Sequence, residues 1–354
     1  MTRKRNIVVA VCGICMLLAA TGVFAGGRAE AAATDTTLGI AIRTLTNPYQ
    51  ANYKVGADTF ADYAGLPAVT LTCEGSSEKQ VSDIRSLVAR TNGNVVFMVD
   101  PNEATDVVPI GRALEEAGVY YVTWWNKPEE VNVMDYPHWV AHIAYDGISA
   151  GYYIAEELFA TFDTPGQGRI IALQGMLANS IAQDRFVGLQ QALADNPGVE
   201  MVAYEAADWD RTRAYEVTSN MLSANPNIDG VWAANDNMAL GALEALREAG
   251  LAGKVMVVGI DGVEEIFDGI QRGEVAATVY NDSKYQAAIG LSMALAAKRG
   301  EIDVASLPRE KRQFFAEAVN VNQANVDDII ANYVESTPDY DYEDYFGAWV
   351  RAMD

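Results

Sequence analysis

The sequence predicts an α/β protein with two lobes, each built on a doubly wound parallel sheet that carries helices on both faces. Short apolar runs rich in β-branched residues alternate with helix-length amphipathic stretches, which is the pattern of βαβ units. The runs are apolar throughout rather than alternating, as expected for strands that are covered on both faces. Ten such runs are more strands than one ordinary open sheet contains, and a length of 354 residues is typical of about two domains.

Taken in order, the runs form two series with about five strands each. The predicted strands of the first series are residues 38–43, 68–72, 95–99, 119–123 and 140–144. Those of the second series are residues 169–173, 199–204, 230–233, 255–259 and 276–280. Helical patterns between them cover residues 81–90, 147–162, 181–194, 238–249 and 285–299. Each series therefore predicts one parallel sheet.

The first 25 residues have the pattern of a secretory signal peptide. Arg3, Lys4 and Arg5 precede an apolar stretch over residues 7–20 and a small-residue segment that ends at Ala25. The apolar stretch is shorter than the roughly 20 residues of a spanning helix, and no cysteine follows it at a lipidation position. We therefore expect export, cleavage after Ala25 and a mature protein without a lipid anchor.

Charge and cysteine content exclude several classes of protein. The chain has 25 Lys and Arg against 48 Asp and Glu, a formal net charge of −23, which repels phosphate backbones and argues against nucleic acid as a partner. Cys12 and Cys15 lie in the predicted signal peptide, so Cys73 has no intrachain partner and the chain is not a disulfide scaffold. We expect Cys73 to be a small buried apolar residue.

The motifs of common enzyme classes are absent from the sequence. It contains no Walker-type phosphate loop, no Gly-x-Gly-x-x-Gly after the first strand and no Gly-x-Ser-x-Gly elbow. Its two histidines, His138 and His142, have no cysteine or carboxylate at ligand spacing, and neither pairs convincingly with a nucleophile. We expect a protein that is not an enzyme and has no metal site and no cofactor. For His142, a structural or hinge role is favoured over catalysis.

Polar and aromatic side chains gather where the predicted strands end, which is where ligands bind in open α/β sheets. Amides, carboxylates and indoles in this position suit a neutral polyhydroxyl ligand, because the polar groups bond hydroxyls and an indole covers the C–H face of a sugar ring. Trp125 and Trp209 are equally compatible with core packing, and Asp236 is expected to cap a helix. The residues at these ends are Asn47, Tyr49, Trp124, Trp125, Asn126, Trp209, Asn235, Asp236, Asp261 and Asn281.

Five segments, in order and at matching spacing, resemble the periplasmic sugar-binding proteins of ABC importers, specifically the ribose-binding type. They are residues 46–49 (TNPY), 173–175 (LQG) with Asp184 and Arg185, 235–243 (NDNMALGAL), 257–262 (VVGIDG) and 276–279 (AATV). The resemblance runs from about Thr37 to Asn332. It implies the type I periplasmic binding protein fold, with two Rossmann-like lobes joined by a three-strand hinge.

The resemblance also implies roles for individual positions. In the first lobe, Asn47 and Tyr49 match the amide and the aromatic of one cleft wall. In the second lobe, Arg185 matches an arginine that reaches ring and hydroxyl oxygens, and Trp209 matches a stacking aromatic. In the family, an amide, a carboxylate and a second amide hold the remaining hydroxyls of the sugar. They match Asn235, Asp261 and Asn281, in that order.

The chain departs from the ribose-binding pattern at the first-lobe wall. Gln50 stands where the family has an aromatic residue, and Trp125 and Asn126 replace an Asp-Arg pair. Losing a charged fork and gaining an indole removes charge-assisted hydrogen bonds and adds apolar area, so a differently shaped sugar or a polyol is favoured over ribose. We include Trp125 and Asn126 in the predicted site, with Gln50, Trp124 and His142 as further candidates.

By resemblance, the first lobe comprises residues 34–144 and 282–317, and the second comprises residues 145–281 and 318–333. The lobes would close on one sugar or polyol in the periplasm and present it to an ABC permease in the inner membrane. A sugar sensor that presents its closed form to a chemoreceptor or kinase is the alternative, and an exported sugar-active enzyme is less favoured. The acidic, aromatic tail, residues 334–354, is expected to pack on the domain surface rather than to bind a metal or partner.

Overall fold

The computed structural model describes residues 36–336 and 339–353, so the predicted signal peptide, residues 1–25, lies outside the described residues. In chain order the strands are β1 (Thr37–Ile42), β2 (Ala68–Thr72), β3 (Val95–Val99), β4 (Tyr121–Trp124), β5 (Trp139–Ala144), β6 (Gln167–Gln174), β7 (Gly198–Ala206), β8 (Gly230–Ala233), β9 (Met256–Val258), β10 (Val275–Tyr280), β11 (Gln313–Ala316), β12 (Val319–Asn322) and β13 (Trp349–Ala352). The ten predicted strands are therefore confirmed as β1 to β10.

Helices separate these strands. They are α1 (Pro48–Ala64), α2 (Ser77–Arg90), α3 (Val107–Glu116), α4 (Gly147–Ala160), α5 (Ser180–Asp195), α6 (Arg211–Ala224), α7 (Asp236–Glu248), α8 (Glu264–Gln271), α9 (Ser283–Arg299), α10 (Arg309–Arg312) and α11 (Val326–Ile329). Shorter 3-10 turns occur at Ala104–Asp106, Val133–Asp135 and Val304–Ser306, and a π turn occurs at Ile330–Val334.

The strands form two sheets, which confirms the predicted two-lobe α/β fold. The first sheet has seven strands in the order β13-β11-β5-β4-β3-β1-β2, and the second has six in the order β12-β10-β9-β8-β6-β7. Each sheet is parallel except at one edge, where β13 and β12 run antiparallel to their neighbours. The expectation of about five strands per sheet was too low, because β11, β12 and β13 have only four residues each and give little sequence signal.

Strands in the middle of the first sheet are covered on both faces. In β3, Val96 and Met98 belong to the same hydrophobic cluster as Tyr53 and Phe60 of α1. The alternate residues of β3 pack into a second cluster with α2 and α3. This two-sided burial explains why the strand is apolar at every position, and it places the polar site residues at the strand ends.

Asparagine side chains cap the N-termini of two of the helices that border the site. The Asn47 side chain accepts from Tyr49 N at 3.0 Å and caps α1, and Asn235 accepts from Met238 N at 3.0 Å and caps α7. The prediction that Asp236 caps this helix was wrong. Asp236 instead accepts backbone N–H bonds from Gly262 and Val263, so it fixes the loop after β9.

The chain passes between the lobes at three short crossings, which we call the first, second and third crossing. They are residues 145–146 between β5 and α4, residues 281–282 between β10 and α9, and residues 317–318 between β11 and β12. Because parallel strands end at the same edge of each sheet, this connectivity turns the carboxyl ends of both sheets toward one cleft.

Candidate functional site

A cavity lies in this cleft between the two lobes. Its volume is about 60 Å³, and because one buried water needs about 10–15 Å³, it suits a compact ligand rather than an oligosaccharide. Eight of the nine principal predicted site residues and the further candidate Gln50 line it. The lining residues are Arg43, Asn47, Tyr49, Gln50, Asp100, Pro101, Asn102, Trp125, Asn126, Asn179, Ile181, Arg185, Trp209, Asn235 and Asp261.

The lobes are closed over this cavity, because hydrogen bonds join them across the cleft. The bonds run from Asn179 Nδ2 to Asn102 O at 2.8 Å, from Ala104 N to Ala178 O at 3.1 Å and from Lys127 N to Ser180 Oγ at 3.2 Å. Asn102 and Lys127 lie in the loops that follow β3 and β4 of the first sheet. Asn179 and Ser180 lie where the loop after β6 enters α5. The structure thus represents the closed arrangement of a two-lobed protein.

The second-lobe wall is organised around a buried ion pair. Arg185 donates to Asp261 Oδ1 at 3.3 Å and to Ala234 O at 2.7 Å, while Asn235 Nδ2 donates to Asp261 Oδ2 at 3.2 Å. Burial raises the pKa of Asp261 to about 6, although the Arg185 charge opposes the shift. Arg185 lies in α5, and Gly151 of α4 allows the two helices to pack closely. A Cβ at Gly151 would lie 2.0 Å from the Arg185 carbonyl oxygen.

Two indoles flank the Arg185 guanidinium from opposite lobes. Its Cζ lies 5.1 Å from the ring centroid of Trp125 and 5.6 Å from that of Trp209, within the range of a cation–π interaction. Trp125 Nε1 donates to Tyr53 Oη at 2.8 Å, and Trp209 Nε1 donates to Asn179 Oδ1 at 2.7 Å. Both indoles are therefore fixed in orientation, and both line the cavity.

A buried carboxylate that sequence reasoning missed organises the first-lobe wall. Asp100 Oδ2 accepts from Gln50 Nε2 at 2.8 Å, and Oδ1 accepts from Asn126 Nδ2 at 3.4 Å. Burial raises the pKa of Asp100 to about 7, opposed mainly by the charge of Arg43. Asp100 directly follows β3, so the strand-end rule would have found it had it been applied to every strand. The other lining residues that were not predicted are Arg43, Pro101, Asn102, Asn179 and Ile181.

The raised pKa of Asp100 makes stability depend on pH. The native state binds this proton more tightly than the unfolded chain does, so unfolding releases a proton and the free energy of unfolding falls as pH rises from about 4 to about 7. Asp100→Asn should show a shallower fall over that window. Urea unfolding of both proteins at pH 4.5 and pH 7.5 measures the difference, and parallel pH profiles would contradict it.

Three site residues have backbone conformations that favour glycine. Trp125, Trp209 and Asp261 have φ values of 68°, 64° and 133°. Positive φ at a bulky residue is uncommon, and such strain concentrates at functional sites, where the surrounding structure holds it in place. The strained residues lie on both sides of the cavity, so the backbone itself aims these side chains at the cleft.

Several buried polar atoms of the predicted site have unmet hydrogen-bonding capacity. Among the described residues, Asn126 Oδ1, Arg185 Nε and both amide atoms of Asn281 have no hydrogen-bond partner. Buried polar groups are nearly always bonded, so each unpaired one calls for an explanation. Asn126 and Arg185 line the cavity from opposite lobes, so their unpaired atoms offer one acceptor and one donor to a ligand with hydroxyl groups.

Three predicted residues lie outside the lining of the cavity. Asn281 follows β10 and is 1 % exposed. Trp124 is fully buried and packs 5.8 Å from Tyr145, measured between ring centroids. His142 bonds Thr123 Oγ1 through Nδ1 at 2.8 Å, and burial lowers its pKa well below the usual value, which keeps the ring neutral. Trp124 and His142 thus support the fold from within the first sheet.

These features define a class of protein: two hinged α/β lobes that enclose one small polar ligand between their strand ends. In the described ranges no group of three or more His, Cys, Asp and Glu side chains is placed to hold a metal ion. Residues 38–302 match the family model of the periplasmic binding protein domain, and the chain belongs to this family. Within the same ranges, no helix combines the length and apolarity needed to cross a membrane.

Similar proteins support the same family. The ribose import binding protein of Salmonella typhimurium is 33 % identical over 297 residues, 82 % of this chain and 94 % of that protein. The xylitol-binding protein of Mycolicibacterium smegmatis is 31 % identical over 79 % of this chain and 78 % of its own length. The crystal structure of a twin-arginine translocation pathway signal protein from Burkholderia phytofirmans has a TM-score of 0.88 and 42 % identity, covering 90 % of this chain and 99 % of that one. The first of these relatives is a binding protein for ribose import, and the second is a binding protein for xylitol.

Proposed function

We propose that this protein captures a neutral monosaccharide or a related polyol between its lobes and delivers it unaltered to the permease of an ABC importer. The observation that carries the proposal is the cavity at the strand ends, where indole faces adjoin buried polar atoms without partners on both lobes. The relatives that bind ribose and xylitol support a ligand of this size and chemistry.

The chemistry of the walls favours an uncharged ligand. The charges of Arg185 and Asp261 pair with each other at 3.3 Å, so the second-lobe wall has no excess charge to match an ionic group. A hydroxyl group both donates and accepts, and can bond Asp261 and Arg185 at once without separating their charges. Trp125 and Trp209 would cover the C–H faces of the ligand.

Ribose itself is a poorer match than a polyol or a differently shaped sugar. The first-lobe wall carries the hydrogen-bonded group Gln50, Asp100 and Asn126. The ribose-binding pattern has an aromatic at the position of Gln50 and an Asp-Arg pair at the positions of Trp125 and Asn126. Asn126 thus presents an amide where the ribose-binding pattern has a guanidinium. We therefore expect at least one polyol or other sugar to bind more tightly than D-ribose.

The ligand can be identified directly from the purified protein. Closed binding proteins retain their solute, so mass spectrometry of the small molecules released on denaturation should yield a neutral polyhydroxyl compound. Isothermal titration with D-ribose, D-allose, xylitol and myo-inositol then ranks candidates, and a micromolar dissociation constant corresponds to about −8 kcal/mol. Recovery of the bound compound unchanged after incubation supports transport over catalysis. Binding only to charged solutes, or to D-ribose above all others, would contradict the proposal.

Delivery to an importer requires export, and we propose that residues 1–25 direct it and are removed. The mature chain would then begin near Gly26 and act in the periplasm as a soluble protein. N-terminal sequencing of the periplasmic fraction tests the cleavage position. Metabolic labelling with palmitate tests the absence of a lipid anchor, and label in the mature chain would contradict it.

A further inference from the structure

The C-terminal segment, residues 339–353, makes an additional connection between the lobes. The chain enters it from the second lobe, where the ring of Tyr333 lies 4.8 Å from that of Tyr280 at the end of β10. It finishes as β13, which pairs with β11 in the first sheet. In the described part of the chain this segment follows the three crossings, so the lobes share more than the expected three-strand hinge.

The segment forms a hydrogen bond with each of the three crossings. At the first crossing, Arg351 donates to Asp146 Oδ2 at 2.9 Å. At the second, Tyr340 Oη donates to Asp282 Oδ2 at 2.5 Å. At the third, the backbone N–H of Glu317 donates to Ala348 O at 2.8 Å. Asp146 and Asp282 are also the N-caps of α4 and α9, so the segment holds the residues at which both helices begin.

The segment is itself anchored to the first lobe. The ring of Tyr342 lies 5.2 Å from that of Phe60 and 4.8 Å from that of Tyr63, and its carbonyl oxygen accepts from Ser292 Oγ at 2.7 Å. Lys311 Nζ lies 4.6 Å from the ring centroid of Phe346. The bonds to the crossings are therefore made by a packed element rather than by a loose end.

We propose that residues 339–353 form a strap at the hinge that stabilises the closed arrangement of the lobes. Opening a hinge changes the backbone angles of the few residues that connect the lobes. The strap bonds those residues in the closed arrangement, so opening disrupts its contacts at the crossings. A higher closed fraction without ligand raises apparent affinity, because the binding-competent state is already populated.

Lobe separation measured without any ligand tests this proposal independently of the identity of the solute. Spin labels at Glu78→Cys in α2 and Thr212→Cys in α6, both exposed positions, report the distance between lobes by pulsed electron resonance. Cys73 is 1 % exposed and should not compete for label. The double variant Tyr340→Phe and Arg351→Met should lower the ratio of closed to open molecules by about three- to tenfold, as removal of two weak polar contacts implies.

The matched control is Tyr345→Phe, which removes a hydroxyl from the same segment where Tyr345 lines a groove beside α1 and α9 of the first lobe. It should leave the distance distribution unchanged. Thermal unfolding of each variant confirms that the lobes remain folded. The strap is contradicted if the double variant keeps the distribution of the parent protein, moves it toward shorter distances, or shifts it no more than the control does.

Discussion

Replacing Asp261 by alanine is expected to abolish ligand binding while leaving the far-UV circular dichroism spectrum unchanged. The carboxylate accepts from Arg185 and Asn235, so its loss leaves a guanidinium buried without a counter-charge. Removing one partner of a buried pair costs about 3–5 kcal/mol. Because the same carboxylate is proposed to hold ligand hydroxyls, we expect affinity to fall by at least about 100-fold, or about 2.7 kcal/mol.

Two further variants separate loss of the site from loss of the fold. Asp261→Asn keeps the shape of the side chain and an acceptor for Asn235, so it should fold better than the alanine variant and still bind weakly. Asp268→Ala removes an exposed carboxylate of α8 in the same lobe and should bind as the parent does. Titration calorimetry with the ligand that co-purifies measures all three. Undiminished affinity in Asp261→Ala would reject the proposed site.

The position of the cavity could be predicted from the sequence because parallel strands bring their ends together. Asn47, Trp125 and Asp261 lie far apart along the chain, yet each follows a strand, and all three line one cavity. Asp100 satisfies the same rule and escaped prediction. Its pairing with Gln50 and Asn126 requires α1 to meet the loops after β3 and β4, which no local pattern encodes.

Local rules also failed where a residue serves two elements. Asp236 has the chemistry of a helix cap, but Asn235 takes that position and Asp236 bonds the loop after β9. Asn235 caps α7 with its oxygen and donates to Asp261 with its nitrogen. Helix propensity depends only on the local sequence. Here the tertiary contacts of Asn235 and Asp236 decide which of the two adjacent residues caps α7.

The C-terminal segment shows a third limit of prediction from the sequence. Its alternating aromatic and acidic residues predict surface packing, which Tyr342 provides. The sequence does not predict that the segment reaches the hinge or ends as β13, because a four-residue edge strand gains its stability from its partner rather than from its own pattern. The contacts of this segment with the crossings therefore became visible only in three dimensions.

Substituting alanine for Gly175 is expected to weaken ligand binding by about 10- to 100-fold with a smaller effect on folding. Gly175 follows β6, and a Cβ there would lie 2.1 Å from the Trp209 ring, so the indole must move. Trp209 Nε1 bonds Asn179, which in turn donates to Asn102 across the cleft. Displacing the indole thus disturbs both ligand stacking and closure, while overpacking of this kind costs about 1–3 kcal/mol of stability.

Gly168→Ala is the matched control, because Gly168 lies in β6, the strand that Gly175 follows, at the end away from the cleft. A Cβ there would lie 2.6 Å from the Phe162 ring, so the variant also crowds an aromatic side chain and should lose comparable stability. It should nevertheless retain the parent affinity, since the contacts of Trp209 and Asn179 are untouched. If calorimetry finds equal affinity for both variants at matched folded fraction, then the position of Trp209 does not govern binding, and the role proposed for its ring is wrong.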